Sequence, residues 1–515
     1  MNGFHSKIDI SQERYKNYIF LFVMNACIII SVYYIYIFIK HYSIDWYMYT
    51  SNGDMGEIHL QSSRIVSYLI YTLFKCAGIN YTRLQALNLI VHSIGWCFFV
   101  SKFVYQIAGN IHFDSFRSIA IIDIALLYSF INPATLLHTY YFSEVALEQT
   151  IGCLCLFVSI FLTTVKRKKT VLSTILTSVI LYLALSTYQP YIGLFIGYTM
   201  IDLISSEKGK WVHKGFYSLI IGGVASVLSV VTGIIINYSI FNGASDRAAA
   251  SLDRLVKNFC VVLENQIRIW VKGDLFLPPF FMVVLMSISI ILVYLNDIAL
   301  VRGGKRRAGK LFMIKMLEFI ICVIIIWCVS FAPLIVSTDC ILVVRAYPGI
   351  FTIVSLVGVF SANQIQHNKK AMDVYGLFLA FGLFIIGFSL VSIQVNTVAS
   401  NRLDEYEIHM MISYIEDYEK ETGSCIQNIK LGYDENETDA FVNEIDYLIG
   451  DTHLRGTSVA GCMPDMLRFY SDRGWNVEWV QKEEIQQKFG TVDYTYLDLN
   501  KQMVFEQDTA YLLIY

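Results

Sequence analysis

Apolar runs of about 20 residues, separated by short polar stretches, recur from Tyr18 to Asn396. Each is long enough to cross a hydrocarbon core about 30 Å thick as a helix. The pattern predicts eleven spans, at 18–39, 84–107, 118–134, 145–165, 171–189, 190–204, 216–240, 278–298, 315–336, 349–366 and 374–396, of which 190–204 is short. Ile65 to Cys76 is apolar for only about 12 residues, too few to span, and reads as an amphipathic helix on the outer membrane surface. The first run is too long for a signal-peptide core and no small-residue cleavage site follows it, so it is expected to stay as a membrane helix. The period-2 alternation of a membrane β-barrel is absent.

Beyond residue 396 the pattern changes. Leu403 to Thr422 reads as a charged helix with an apolar stripe. Ile426–Leu431, a helix around Thr438–Leu448, a turn-rich stretch from Gly450 to Gly461 and a helix Pro464–Arg473 follow. Strand-like runs are expected at Trp475–Val480, Thr491–Leu499 and Ala510–Tyr515. The expected architecture is an all-α polytopic membrane domain, 1–396, followed by a small α/β domain, 397–515.

Composition agrees with this division. The 515 residues are 55% hydrophobic, above the ~45–50% of soluble domains. The net charge of −3 hides an asymmetry: residues 397–515 hold nine Lys and Arg against 23 Asp and Glu, and residues 1–396 hold 30 against 19. With the N-terminus in the cytoplasm, the basic clusters Lys166–Lys169, Lys208/Lys210/Lys214, Arg302–Lys310 and Lys369/Lys370 all fall inside. The short loops after Pro133 and around Gln189 hold no Lys or Arg and fall outside. The loop 241–278 has mixed charge and is expected outside as well. An odd span count then places the acidic C-terminal domain outside the plasma membrane. Most of the 11 Cys lie in apolar runs, where burial as small hydrophobes is the simple reading. No phosphate-binding loop, dinucleotide fingerprint or basic-aromatic nucleic-acid pattern occurs. No cofactor and no nucleic-acid partner is expected.

Candidate chemistry gathers on the outer face. The loop from Tyr42 to Arg64 carries Asp45, Asp54, Glu57, His59 and Arg64. The loop before the fourth span carries His138, Tyr140, Tyr141 and Glu144, with Glu148 one turn further on. A tight turn carries Tyr188-Gln189-Pro190, and the approach to the tenth span carries Asp339 and Arg345. Any one of these carboxylates can be a solvated loop charge, Arg64 can snorkel to head groups, and Gln189 can cap a helix break. Arg345, flanked by Val344 and Ala346, is costly at membrane depth unless paired. Together they suit glycosyl transfer from a lipid phosphate. A carboxylate takes the proton of an acceptor hydroxyl, arginine holds the phosphate leaving group, and aromatic rings offer flat faces to sugar and lipid.

At these residues the chain resembles the bacterial membrane glucosyltransferases that modify O-antigen. The likeness lies in the acidic first outer loop, the Ser63-Arg64 entry to a surface helix, the Tyr188-Gln189 turn, the Arg345-Ala-Tyr-Pro stretch and the tail segment GTSVAGCMPDMLRFYSDRG. The resemblance implies a GT-C glycosyltransferase that moves a hexose, expected to be glucose, from a polyprenyl-phosphate carrier to a surface glycan. It implies an essential acid in the first outer loop, where Asp45 fits best and Asp54 and Glu57 are alternates. Relatives often carry paired acids there, and this chain has Ile44-Asp45. Arg64, Glu144, Tyr188, Gln189 and Arg345 are the expected substrate-binding residues, and no metal is required. Competing readings are a flippase or transporter of lipid-linked sugars, which predicts related halves and charges at mid-bilayer, and a polysaccharide polymerase.

Overall fold

The computed structural model describes residues 2–43, 45–47, 55–111, 115–165, 170–206, 211–242, 252–266, 269, 281–302, 307–337, 340, 342–433, 462–471, 473–490 and 497–514. Of the expected site residues, Asp54 lies outside this set, as does Asp339.

The described chain is mostly helical. Seven of its helices are long and apolar enough to cross a membrane: Lys16–Phe38, Gln85–Ile111, Ser143–Thr164, His213–Ile240, Met313–Val336, Pro348–Ile365 and Lys369–Thr422. Phe281–Arg302 adds a 22-residue helix. Val171–Leu185 and Tyr191–Ile204 are shorter, at 15 and 14 residues. Every residue of Tyr191–Ile204 is buried, so this helix sits at the centre of the bundle, as its all-round apolar sequence requires. Gly197 lets it approach Phe351–Ile365: a Cβ there would lie 1.9 Å from Thr352 Oγ1. Large apolar side chains such as Phe20, Leu87, Ile175 and Leu377 point outward, as a lipid-facing belt would.

The run expected as a span at 118–134 is a regular helix only from Phe116 to Leu127. Asn132 precedes Pro133, is held extended, and accepts the Thr135 N–H on its side chain at 2.9 Å. A residue before proline is pushed out of the α region, so the chain turns here. It re-forms as a π-helical segment, Leu136–Tyr141, that is wholly buried.

The expected helices 374–396 and 403–422 are one unbroken helix, Lys369–Thr422, about 80 Å long at 1.5 Å per residue. Its Gln394 donates to the Val32 carbonyl at 2.7 Å and accepts the Tyr36 N–H at 3.2 Å. Tyr36 Oη donates to Thr397 Oγ1 at 2.8 Å. These bonds pin the end of the first helix to the point where the long helix leaves the bundle. Gly423, in the left-handed conformation with φ 70°, ends it.

Beyond it lies a four-stranded sheet of order β2-β1-β4-β3, with β1 Asn428–Tyr433, β2 Asn476–Trp479, β3 Met503–Glu506 and β4 Thr509–Ile514. β1 runs parallel to β2 and β4, and β3 is antiparallel to β4. Helices Met463–Ser471 and Lys482–Phe489 accompany it. The core between sheet and helices includes Ile408, Met411 and Ile415 of the long helix, with Ile429, Leu431, Met466 and Leu512. The expected helix 438–448 and turn-rich stretch 450–461 lie outside the described residues.

Candidate functional site

The interhelical segments at the end of the bundle nearest the sheet converge on one another. His41, three residues past the first helix, is fully buried and stacks on Tyr36 at 4.0 Å. Its Nε2–H donates to the Tyr140 carbonyl at 2.7 Å, and its Nδ1 lies 3.0 Å from the Gln85 amide nitrogen and 3.2 Å from the Ile39 carbonyl. Burial pulls the imidazole down to about 4, against the backbone carbonyls that favour its protonated form. The first loop is thereby fixed to the π-helical segment.

Ser43 comes next and is 1% exposed. Its Oγ–H donates a short hydrogen bond to Glu144 Oε1, and the same oxygen accepts the Asp45 N–H at 3.2 Å. Glu144 is wholly buried, and among the described residues its Oε2 has no hydrogen-bond partner. Asp45 is half-buried and lies within electrostatic range of Glu144. One turn along, Glu148 is equally buried, accepts a short bond from Tyr81 Oη and lies 3.8 Å from His59 Nε2. Burial first, then the neighbouring Arg64 charge, pulls His59 down to about 3.

The basic side is built from two other segments. Arg64 begins the surface helix Ile65–Cys76 and lies over the Tyr188 ring at 5.6 Å. Tyr188 Oη donates to the Arg345 carbonyl at 2.5 Å, so the 186–190 turn holds the loop before Phe351–Ile365. Arg345 places its guanidinium over Phe142 at 4.2 Å. His138 stacks on Tyr188 at 3.5 Å and donates to Gln149 Oε1 at 2.6 Å. Burial chiefly, and the charges of both Arg64 and Arg345, hold His138 well below its usual range. Gln189 donates to the Ser62 carbonyl at 2.7 Å and so ties the turn to the entry of the surface helix.

Asp45, Arg64, Glu144, Tyr188, Gln189 and Arg345 therefore meet at one end of the bundle. Glu57 does not join them: it is exposed and accepts from Gln61 of its own helix at 3.3 Å. Ser43, His41 and Tyr81 are the residues that sequence reasoning passed over. Nothing marks a lone Ser or Tyr as the partner of a carboxylate 101 or 67 positions away. The i,i+4 spacing of Glu144 and Glu148 was a usable signal, since it puts both acids on one helix face.

The opposite end of the bundle carries a different network. Gln106 and Asn110 both donate to Asp202 at 2.9 Å, and Lys214 pairs with it at 3.2 Å. Every group there has a partner of opposite kind, as a structural cluster does. Among the described residues no group of three or more His, Cys, Asp or Glu has a metal-holding arrangement. Compared with known protein families, curated proteins and solved structures, the chain matches none of them.

Proposed function

We propose that this protein is a membrane glycosyltransferase that moves a hexose, with glucose as the expected sugar, from a polyprenyl-phosphate carrier to a cell-surface glycan. The observation that carries this reading is the convergence of Asp45 and Glu144 with Arg64, Tyr188 and Arg345 at one end of the bundle. In this reading the chain crosses the plasma membrane eleven times with its N-terminus in the cytoplasm. The convergence end and the C-terminal unit then lie outside.

The roles follow from the chemistry. Asp45, the half-buried acid, takes the proton from the acceptor hydroxyl as that oxygen attacks the anomeric carbon. The bond from that carbon to the phosphate oxygen breaks, with inversion, and the carrier phosphate leaves as an anion. Arg64 and Arg345 hold that phosphate, each having an aromatic ring beneath its guanidinium. Glu144 fixes the acidic loop through Ser43, and Tyr188 with Gln189 fixes the basic loops. Asp54 is the alternate for the base, and Glu57, exposed on its own helix, stands apart from the convergence.

The test is vesicle-reconstituted protein given polyprenyl-phosphate glucose labelled in the sugar, together with an acceptor glycan. Label leaving the lipid fraction and entering polymer supports the reading. One observation favours a transporter of lipid-linked sugars: Asp123, wholly buried, bound by Asn25 at 2.9 Å within the bundle. That alternative predicts labelled lipid crossing the bilayer with its sugar still attached.

A further inference from the structure

The two residues that follow Asp45 pack into the C-terminal unit. Trp46 and Tyr47 are 4% and 3% exposed, and they belong to the hydrophobic core of the C-terminal unit, beside Ile408, Met411 and Met463. Phe469 meets Trp46 edge-on at 5.2 Å and Tyr47 at 5.7 Å. Tyr47 Oη lies 3.1 Å from Tyr470 Oη. The Tyr42 N–H donates to Asn401 Oδ1, on the long helix, at 2.8 Å. Ser43, between these anchors, is bound instead to Glu144 of the bundle. The stretch 42–47 is therefore held by the bundle at Ser43 and by the C-terminal unit at Tyr42, Trp46 and Tyr47. Asp45 stands on the seam.

A loop tethered in this way has its carboxylate position set by both bodies. Edge-on aromatic contacts are directional, so the ring of Phe469 fixes where Trp46 and Tyr47 lie and, through them, the residue before. Core burial of two bulky side chains immediately after Asp45 also limits local opening.

We infer that the C-terminal unit is a positioning element for the transfer reaction: helix Met463–Ser471, through Phe469 and Tyr470, sets Asp45 at the seam between bundle and C-terminal unit. Phe469 and Tyr470 are positioning residues and touch no substrate. The inference rests on the proposed role of Asp45 in glycosyl transfer, and its test has one arm that does not.

The first arm measures access to position 45. Asp45→Cys is made in full-length protein whose exposed native cysteines, Cys27, Cys76, Cys260, Cys328 and Cys425, are changed to Ser. Its labelling by a small water-soluble maleimide is followed with and without Phe469→Ala. The expected result is about a tenfold faster reaction with Phe469→Ala, since labelling tracks the population of the opened loop, and return towards the parent rate with Phe469→Tyr. An unchanged rate overturns the positioning role whatever the protein catalyses. The second arm measures transfer with Asp45 in place. Phe469→Ala is expected to lower kcat by ten- to a hundredfold, the order expected for an ångström-scale misplacement, while KM for the polyprenyl-phosphate sugar holds. Tyr470→Phe, which removes one hydroxyl and leaves the packing, gives a smaller loss in the same direction. A raised KM with kcat intact overturns the inference. Faster labelling in a protein whose parent form transfers no sugar leaves the tether standing and removes the proposed function.

Discussion

Ser43→Ala tests the geometry of the candidate site at one atom. The hydroxyl bridges two groups, donating to the buried Glu144 carboxyl and accepting the Asp45 N–H. A hydrogen bond between neutral groups contributes about 1 kcal/mol, and a buried polar group left without its partner costs about 1–3 kcal/mol more. Among the described residues Glu144 Oε2 accepts no hydrogen bond, so the Ser43 hydroxyl is a main donor to this buried carboxyl. The expected cost is therefore about 2–4 kcal/mol, split between folding and the placement of Asp45. Any part that falls on the transition state lowers transfer tenfold for each ~1.4 kcal/mol. The assay is a double-mutant cycle with Glu144→Leu, which removes the acceptor, read both as stability in a detergent unfolding titration and as transfer rate. If the bridge operates as described, the two losses overlap and the coupling exceeds about 1 kcal/mol. Losses that add to within about 0.5 kcal/mol, or a neutral Ser43→Ala, would refute the reasoning.

Three further outcomes follow from the same structure. Tyr188→Phe strips the Arg345 carbonyl of its hydroxyl donor while keeping the ring stacked on His138; it should cost about 1–3 kcal/mol of stability and weaken carrier binding, read as a raised KM for the lipid. Gly197→Ala drives a Cβ to 2.5 Å from Thr352 Cβ; unfolding should occur about 1–3 kcal/mol sooner, and Thr352→Gly in the same chain should recover most of it. His41 and His59 are held neutral, near 4 and 3, against about 6.5 in an unfolded chain. At these two rings the unfolded state thus binds more protons below pH 6.5, and their contribution to stability falls as pH drops from there towards 4, by about 1.4 kcal/mol per unit for each ring. His41→Gln should flatten that slope relative to the parent, and an unchanged slope would contradict the assignment.

What the sequence disclosed depended on how far each contact reaches along the chain. Helix positions are set locally by apolar runs, so Lys16–Phe38 and Gln85–Ile111 fall close to the expected 18–39 and 84–107. Where a local signal competes with the run, periodicity alone misleads. The helix expected to reach 134 ends at Leu127, and Asn132-Pro133 starts a new segment, the Asn side chain capping it and the proline holding Asn132 out of the α region. The charge change at residue 397 marks no break in the backbone, since Lys369–Thr422 passes through it unbroken. The site was legible as a list of loops on one face. Its pairings were not, because a bridge such as Ser43 to Glu144 depends on where two distant helices end. The burial of Trp46 and Tyr47 in the C-terminal core was hidden for the same reason: an aromatic beside a membrane span ordinarily reads as an interfacial anchor.

The central claim is that Asp45 takes the acceptor proton in sugar transfer, and Asp45→Asn measures it most directly. The change is nearly isosteric, so the loop keeps its anchors at Ser43, Trp46 and Tyr47. Transfer from polyprenyl-phosphate glucose to acceptor should fall by about 10²–10⁴, with carrier binding close to that of the parent. Full transfer by Asp45→Asn, and by Asp54→Asn and Glu57→Gln in parallel, would contradict the account.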